Sequence, residues 1–216
     1  MGALPWMRHG TRCLEVPMSV RTMLVALGAI VIAAPHGLRA QETDADFVLA
    51  RKQFVSGQAR QAANTLLASS AHVRQEIGRC RDEEVGTRLI EGEAQLDKLA
   101  TQLRAGSITS VKVLDQSLVK IDVALSLNHL KLAQTGIVRP RADDIPVLSR
   151  DIEHAAYHFE RSITLDGGTL SPAQAKALES MRKLAKEIDD TKAAPKEAKD
   201  ILAAFEAVVN SSAGAK

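Results

Sequence analysis

Between Val111 and Gln134, the residues Val111, Leu114, Leu118, Ile121, Leu125 and Leu132 recur at intervals built from three and four, the spacing of one α-helical face. Val119, Val123, Leu127 and Leu130 add a second apolar stripe about 100–160° round the same helix, taking 100° per residue. A helix apolar on two sides needs cover on two sides. The stretch is therefore expected to be the central helix of a bundle, about 36 Å long at 1.5 Å per residue.

The flanking pattern is helical as well, with no convincing strand. Phe47, Val48, Ala50, Phe54 and Val55 predict a first helix ending at Ser56 and Gly57. Ala59 to Ile77 predicts a second, closed before Gly78. A third spans Glu83 to Arg104, with Val85, Leu89, Leu96, Leu99 and Leu103 on one face. Gly92 lies on that stripe, where a missing side chain lets another helix approach closely. Gly136 to Asp144 is expected to be a linker, followed by a helix over Asp144–Leu165 with Ile145, Leu148, Ile152, Ala155, Ala156, Phe159 and Ile163 on one side. Ser171, Pro172 and Gln174 make a helix entry: N-cap serine, proline at the first helical position and glutamine at the capping-box position. Pro195 is expected to open the last helix. About seven short-connected helices predict an all-α antiparallel bundle.

Val48–Gly57 followed by Ala59–Ile77 matches Leu127–Gly136 followed by Ile145–Ile163, each second helix ending in a histidine and an isoleucine five residues later (His72 and Ile77, His158 and Ile163). This invites comparison as a duplicated helical hairpin. Ala50, Gly57, Ala62 and Leu66 in the first hairpin resemble positions of one tetratricopeptide unit, without its early tryptophan and late proline. The same stretch is similar to exported helical stress proteins of the YfdX type, over the first third of the chain and with no diagnostic motif. No family is assigned on either resemblance.

The N-terminus changes the picture of composition. A short basic start near Met18 and Arg21, an uncharged apolar run from Met23 to Ala34, then Pro35 and a small residue at Ala40 follow the order of a cleavable secretory signal peptide. The run is shorter than the roughly 20 residues a membrane helix needs. Residues 1–40 are therefore expected to be a leader, with Met18 as an alternative start, and residues 41–216 a single helical domain in the periplasm. Removing four basic residues and one acidic residue from totals of 28 and 26 leaves 24 against 25. A near-neutral chain with Phe47, Phe54, Tyr157, Phe159 and Phe205 as its aromatics offers neither the charge nor the stacking platform for nucleic acid.

His154 and His158, four apart with Asp151 three residues earlier, have the spacing that sets metal-ligating groups on one helix face. That face lies roughly 120–180° from the apolar stripe and is expected to be solvated. His129 is in phase with Val111 and Leu118, so it is expected to be at least half buried and bonded to a neighbouring carbonyl. It is also placed to approach His154 across the Gly136–Asp144 turn, which would complete a three-histidine metal face with Asp151; structural zinc takes four ligands and catalytic zinc three. Cys80, flanked by Arg79 and Arg81, is a candidate for redox chemistry or an intermolecular disulfide, hence a homodimer. Phosphate-loop, nucleophile-elbow, dinucleotide and c-type haem signatures are missing. The expectation is a non-enzymatic, exported protein-interaction or stress-protective factor, adaptor- or chaperone-like, with a protein partner in the cell envelope and no cofactor. The alternative is a periplasmic protein binding a divalent transition metal through His129, His154 and His158.

Overall fold

The computed structural model describes residues 38–138, 142–165 and 167–213, the side chains of residues 38–46 and 142 excepted. Among them are seven helices and no strand: α1 (Leu38–Val55), α2 (Ala59–Arg79), α3 (Glu83–Arg104), α4 (Val111–Val138), α5 (Ile145–Thr164), α6 (Pro172–Thr191) and α7 (Ala198–Ala213). A single 3-10 turn, Ala142–Asp144, leads into α5. The expected all-α bundle is what forms. The signal-peptide run lies outside the described residues, and a cut after Ala40 would fall in the first turn of α1. No described helix is long and apolar enough to cross a membrane.

α4 is the central element, packed against α1, α2, α3, α5 and α7. Its two stripes explain this: Leu118, Ile121 and Leu125 are buried on one, Val119, Leu127 and Leu130 on the other. Burying each such side chain contributes about 1.5–3 kcal/mol of transfer free energy, so neighbours gather on both sides. Gly92 of α3 faces Ile121 of α4, where an added Cβ would come within 3.2 Å of Cγ1. The absent side chain is what brings α3 so close.

Local signals set the helix ends. Gly57 takes φ +76° to turn α1 into α2. The Asp82 carboxylate accepts from Val85 N–H at 3.0 Å and starts α3. Ser171 and Gln174 form the expected capping box: Gln174 N–H donates to Ser171 Oγ at 3.3 Å, and Ser171 N–H donates to Gln174 Oε1 at 2.8 Å.

Boundaries differ from the sequence reading in several places; α2, expected to close before Gly78, runs on to Arg79. α4 runs through Gly136 to Val138, because a helical glycine is tolerated where it meets a neighbour: its absent Cβ would lie 3.5 Å from Leu148 Cδ1 of α5. The helix ends two residues before Pro140, whose ring disfavours the α conformation in the residue preceding it. The two glycines of the compared hairpins thus differ, since Gly57 ends a helix and Gly136 does not. Pro195 opens a turn rather than α7; its carbonyl accepts from Ala198 N–H at 3.2 Å, and the helix starts there.

Candidate functional site

On α4, Asp115, Asp122 and His129 follow one another at intervals of seven residues, about 10.5 Å of helix each. All three are buried, at 3%, 0% and 2% exposure. A buried charge is tolerable only when paired and hydrogen-bonded, and each of these is met from another helix.

At the first level Arg51 of α1 grips Asp115, Nε to Oδ1 at 2.8 Å and Nη2 to Oδ2 at 3.1 Å. At the second, Arg161 of α5 grips Asp122 through both nitrogens, Nε to Oδ2 at 2.8 Å and Nη2 to Oδ1. His158, one turn earlier on α5, donates its Nδ1–H to Asp122 Oδ1 at 3.0 Å. The Arg161 guanidinium lies over the rings of Phe47 and Tyr157, 4.8 and 5.3 Å from their centroids. At the third level His129 donates its Nδ1–H to Asp151 Oδ1 of α5 at 3.0 Å. Arg79 of α2 donates to the same carboxylate at 2.9 and 3.3 Å and to Glu76 Oε1 at 2.9 Å. Glu76 Oε2 in turn accepts from Asn128 Nδ2 at 3.0 Å and lies 3.8 Å from His129 Nε2. Because an ionised carboxylate only accepts, Nδ1 is the protonated nitrogen in both His129 and His158.

The expected approach of His129 to His154 is present. Their ring centroids are 4.8 Å apart and nearly perpendicular, whereas His129 and His158 lie parallel at 5.7 Å. His154 and His158 are 6.5 Å apart. His154 Nε2 and Asn128 Oδ1 are buried without a hydrogen-bond partner among the described residues.

Burial is the first cause of the electrostatics here. It pushes His158 from an ordinary 6.5 down to about 4, against the raising effect of its Asp122 bond, and Arg161 and His129 push the same way as burial. Burial likewise pushes His154 down to about 3, and positive charge on the neighbouring His129 or His158 ring would push it the same way. Burial alone would raise Asp151, but the His129 hydrogen bond and the Arg79 charge hold it below the usual aspartate value.

The solvated face expected for Asp151, His154 and His158 is therefore not found. Asp151 and His158 are each 4% exposed and His154 is half buried. At 100° per residue, Asp151 and His158 lie only about 40–80° round α5 from Leu148 and Ala155, so they adjoin the apolar stripe rather than oppose it. α5 is covered on both sides: Ser126 Oγ of α4 donates to Ala155 O at 2.7 Å, and Ser149 Oγ donates to Ala185 O of α6 at 2.9 Å. His129 bonds to a carboxylate rather than to the carbonyl expected for it. Cys80 lies apart from this arrangement, half buried between α2 and α3, its thiol donating to Asp82 O at 3.2 Å. Arg79, its sequence neighbour, is committed to Glu76 and Asp151.

Among the described residues no three His, Cys, Asp or Glu side chains are arranged to hold a metal ion together. The rings gather, yet Nδ1 of His129 and Nδ1 of His158 are turned to different carboxylates. Compared with known proteins, the chain matches no protein-family model, and no curated protein or solved structure shows significant similarity to it. Function has to be argued from the geometry alone.

Sequence reasoning missed Asp122, Arg161, Asp115, Arg51, Glu76, Arg79 and Asn128. One signal was available: Asp115 and Asp122 interrupt the two apolar stripes of α4 at heptad spacing from His129. Charges there had to be answered from other helices.

Proposed function

We propose that this chain is an exported, non-enzymatic helical protein that works through its outer faces, as an interaction or stress-protective factor of the cell envelope. One observation carries the reading. The side chains with chemical potential, His129, His158, Asp151, Asp122 and Arg161, are buried and bonded to one another, where they hold helices together rather than line an opening. What remains for a partner is helical surface. On α1, Val48 and Val55, seven residues apart on one face, are 48% and 63% exposed, with Leu49 beside them. Export is supported by the signal-peptide order of residues 18–40.

The test is crosslinking in intact cells, then pull-down of wild type and of a Val48→Asp, Val55→Asp variant, with metal analysis of protein purified without chelator. One stoichiometric partner lost in the variant supports an adaptor, and many stress-dependent clients support a chaperone-like factor. Neither partner nor client overturns the reading. Stoichiometric metal that disappears in His154→Ala and His158→Ala replaces it with the metal-binding alternative.

A further inference from the structure

The seam where α2, α4 and α5 meet rests on a pattern that α4 and α5 share: an aspartate followed seven residues later by a histidine, Asp122 and His129 on α4, Asp151 and His158 on α5. The two helices run antiparallel, so each aspartate meets the other helix's histidine. His158 reaches Asp122 and His129 reaches Asp151, both at 3.0 Å. The two rings lie parallel, 5.7 Å apart.

Apolar contact alone does not select this alignment. Leu118 and Leu125 recur at seven on α4, as do Ile145, Ile152 and Phe159 on α5, and all five are buried. Sliding one helix past the other by seven residues, about 10.5 Å, keeps apolar positions level with apolar positions. The chain offers one such slide. A turn moved back to Gly136 would let that glycine close α4 and Pro140 open α5, the roles these two residue types favour.

In that alternative His158 comes level with Asp115, and His129 with Asp144, so the outer levels are answered again. The middle level is not. Asp122 leaves Arg161 and His158 behind and comes level with Asp151, which sets two carboxylates against each other in the interior. Burying two like charges together is costly however well the rest packs.

We propose that the crossed Asp–His pairs are a register lock: they exclude the alignment that turns at Gly136 and so carry α4 on to Val138. Polar residues at core heptad positions fix register in paired helices in the same way, at some cost in stability. The lock stands apart from the identity of any partner; it concerns which of two alignments the chain adopts.

The test is the distance between two nitroxide labels on the full chain, read by pulsed electron paramagnetic resonance at pH 7.5. Val113→Cys on α4 and Val147→Cys on α5, at positions 48% and 39% exposed, carry the labels in a Cys80→Ser background. Their axial separation of about 30 Å falls to about 20 Å in the alternative alignment, at 1.5 Å per residue. With the seam intact the lock predicts the long separation alone. Asp151→His sets His129 against a second imidazole in the native alignment and gives Asp122 an imidazole in the alternative, so the shorter separation should become the major one. Asp122→His, the reciprocal change, should do the same, and it decides if Asp151→His does not fold. Asp151→Asn still accepts from His129 and leaves Asp122 without a partner in the alternative, so it should keep the long separation. The proposal is overturned if both histidine variants keep the long separation or unfold. A shorter separation that appears equally in Asp151→Asn also overturns it, because that marks a loosened seam rather than a chosen register.

Discussion

Arg79 and Asp151, 72 positions apart in the chain, meet at 2.9 Å and tie the end of α2 to the first turns of α5. Arg161 and Asp122 do the same between α5 and α4, but with both partners fully enclosed. The difference in exposure sets a ranking. Removing one partner of a buried pair costs about 3–5 kcal/mol, because the other charge is left unanswered. Arg161→Met should therefore lose about 3–5 kcal/mol in urea denaturation. The Arg79 side chain is 42% exposed, so solvent screens the loss, and Arg79→Met should cost only about 1–2 kcal/mol. Equal costs for the two variants would show that burial is not what gives these pairs their weight.

Acid should act in two separate windows. His154 and His158 have folded values below their ordinary 6.5, at about 3 and about 4, so the fold holds them neutral. Above pH 6.5 both are neutral in either state and contribute no penalty. As pH falls through 6.5 the unfolded chain takes up protons that the fold resists, and stability drops until the folded values are reached. For His158 alone the full loss is on the order of 3 kcal/mol. Asp151, held below its ordinary 3.8, contributes stability that is present above that value and fades only as pH falls further. Denaturation midpoints measured from pH 8 to 3 should stay level, then decline from about 6.5, with the Asp151 contribution lost last.

The fold was largely legible because α4 carries two complete apolar stripes, and Leu118 with Val119 can be buried together only inside a bundle. Ser171 with Gln174 and Gly92 against Ile121 were legible too, since each rests on local chemistry. The candidate site was only half legible. His129, His154 and Asp151 could be placed near one another by helix phase, but a pattern that assigns charge to solvent puts Asp151 and His158 outside. Their burial depends on Arg79 and Asp122, contributed from 72 and 36 positions away. Periodicity within one helix carries no record of a partner on another.

Gly136 and Gly92 should respond oppositely to enlargement. Gly136 lies inside α4 with ordinary contact distance to Leu148, so Gly136→Ala should stabilise by about 0.5–1 kcal/mol through helix propensity. Gly92 has Ile121 at 3.2 Å from where a Cβ would sit, and Gly92→Leu should destabilise by about 1–3 kcal/mol through overpacking. Thermal melts of the two variants beside wild type check both signs.

Phe205 of α7 meets Phe159 of α5 edge to face, with ring centroids 5.3 Å apart and both rings buried. Phe205→Ala should cost about 3–5 kcal/mol. Because Phe205 lies apart from the histidine seam, the variant should keep the wild-type pH profile, merely displaced to lower stability. A changed profile would mean that the acid response is spread through the core instead of residing in the seam.

The central claim is that His154 and His158 are held neutral inside the fold, and proton NMR of their imidazole C2 resonances tests it most directly. With assignments from His154→Gln and His158→Gln spectra, both resonances should remain in the neutral position at pH 5 in the folded chain and move only as native signals are lost. Two rings titrating near 6.5 with every native signal intact would contradict the account.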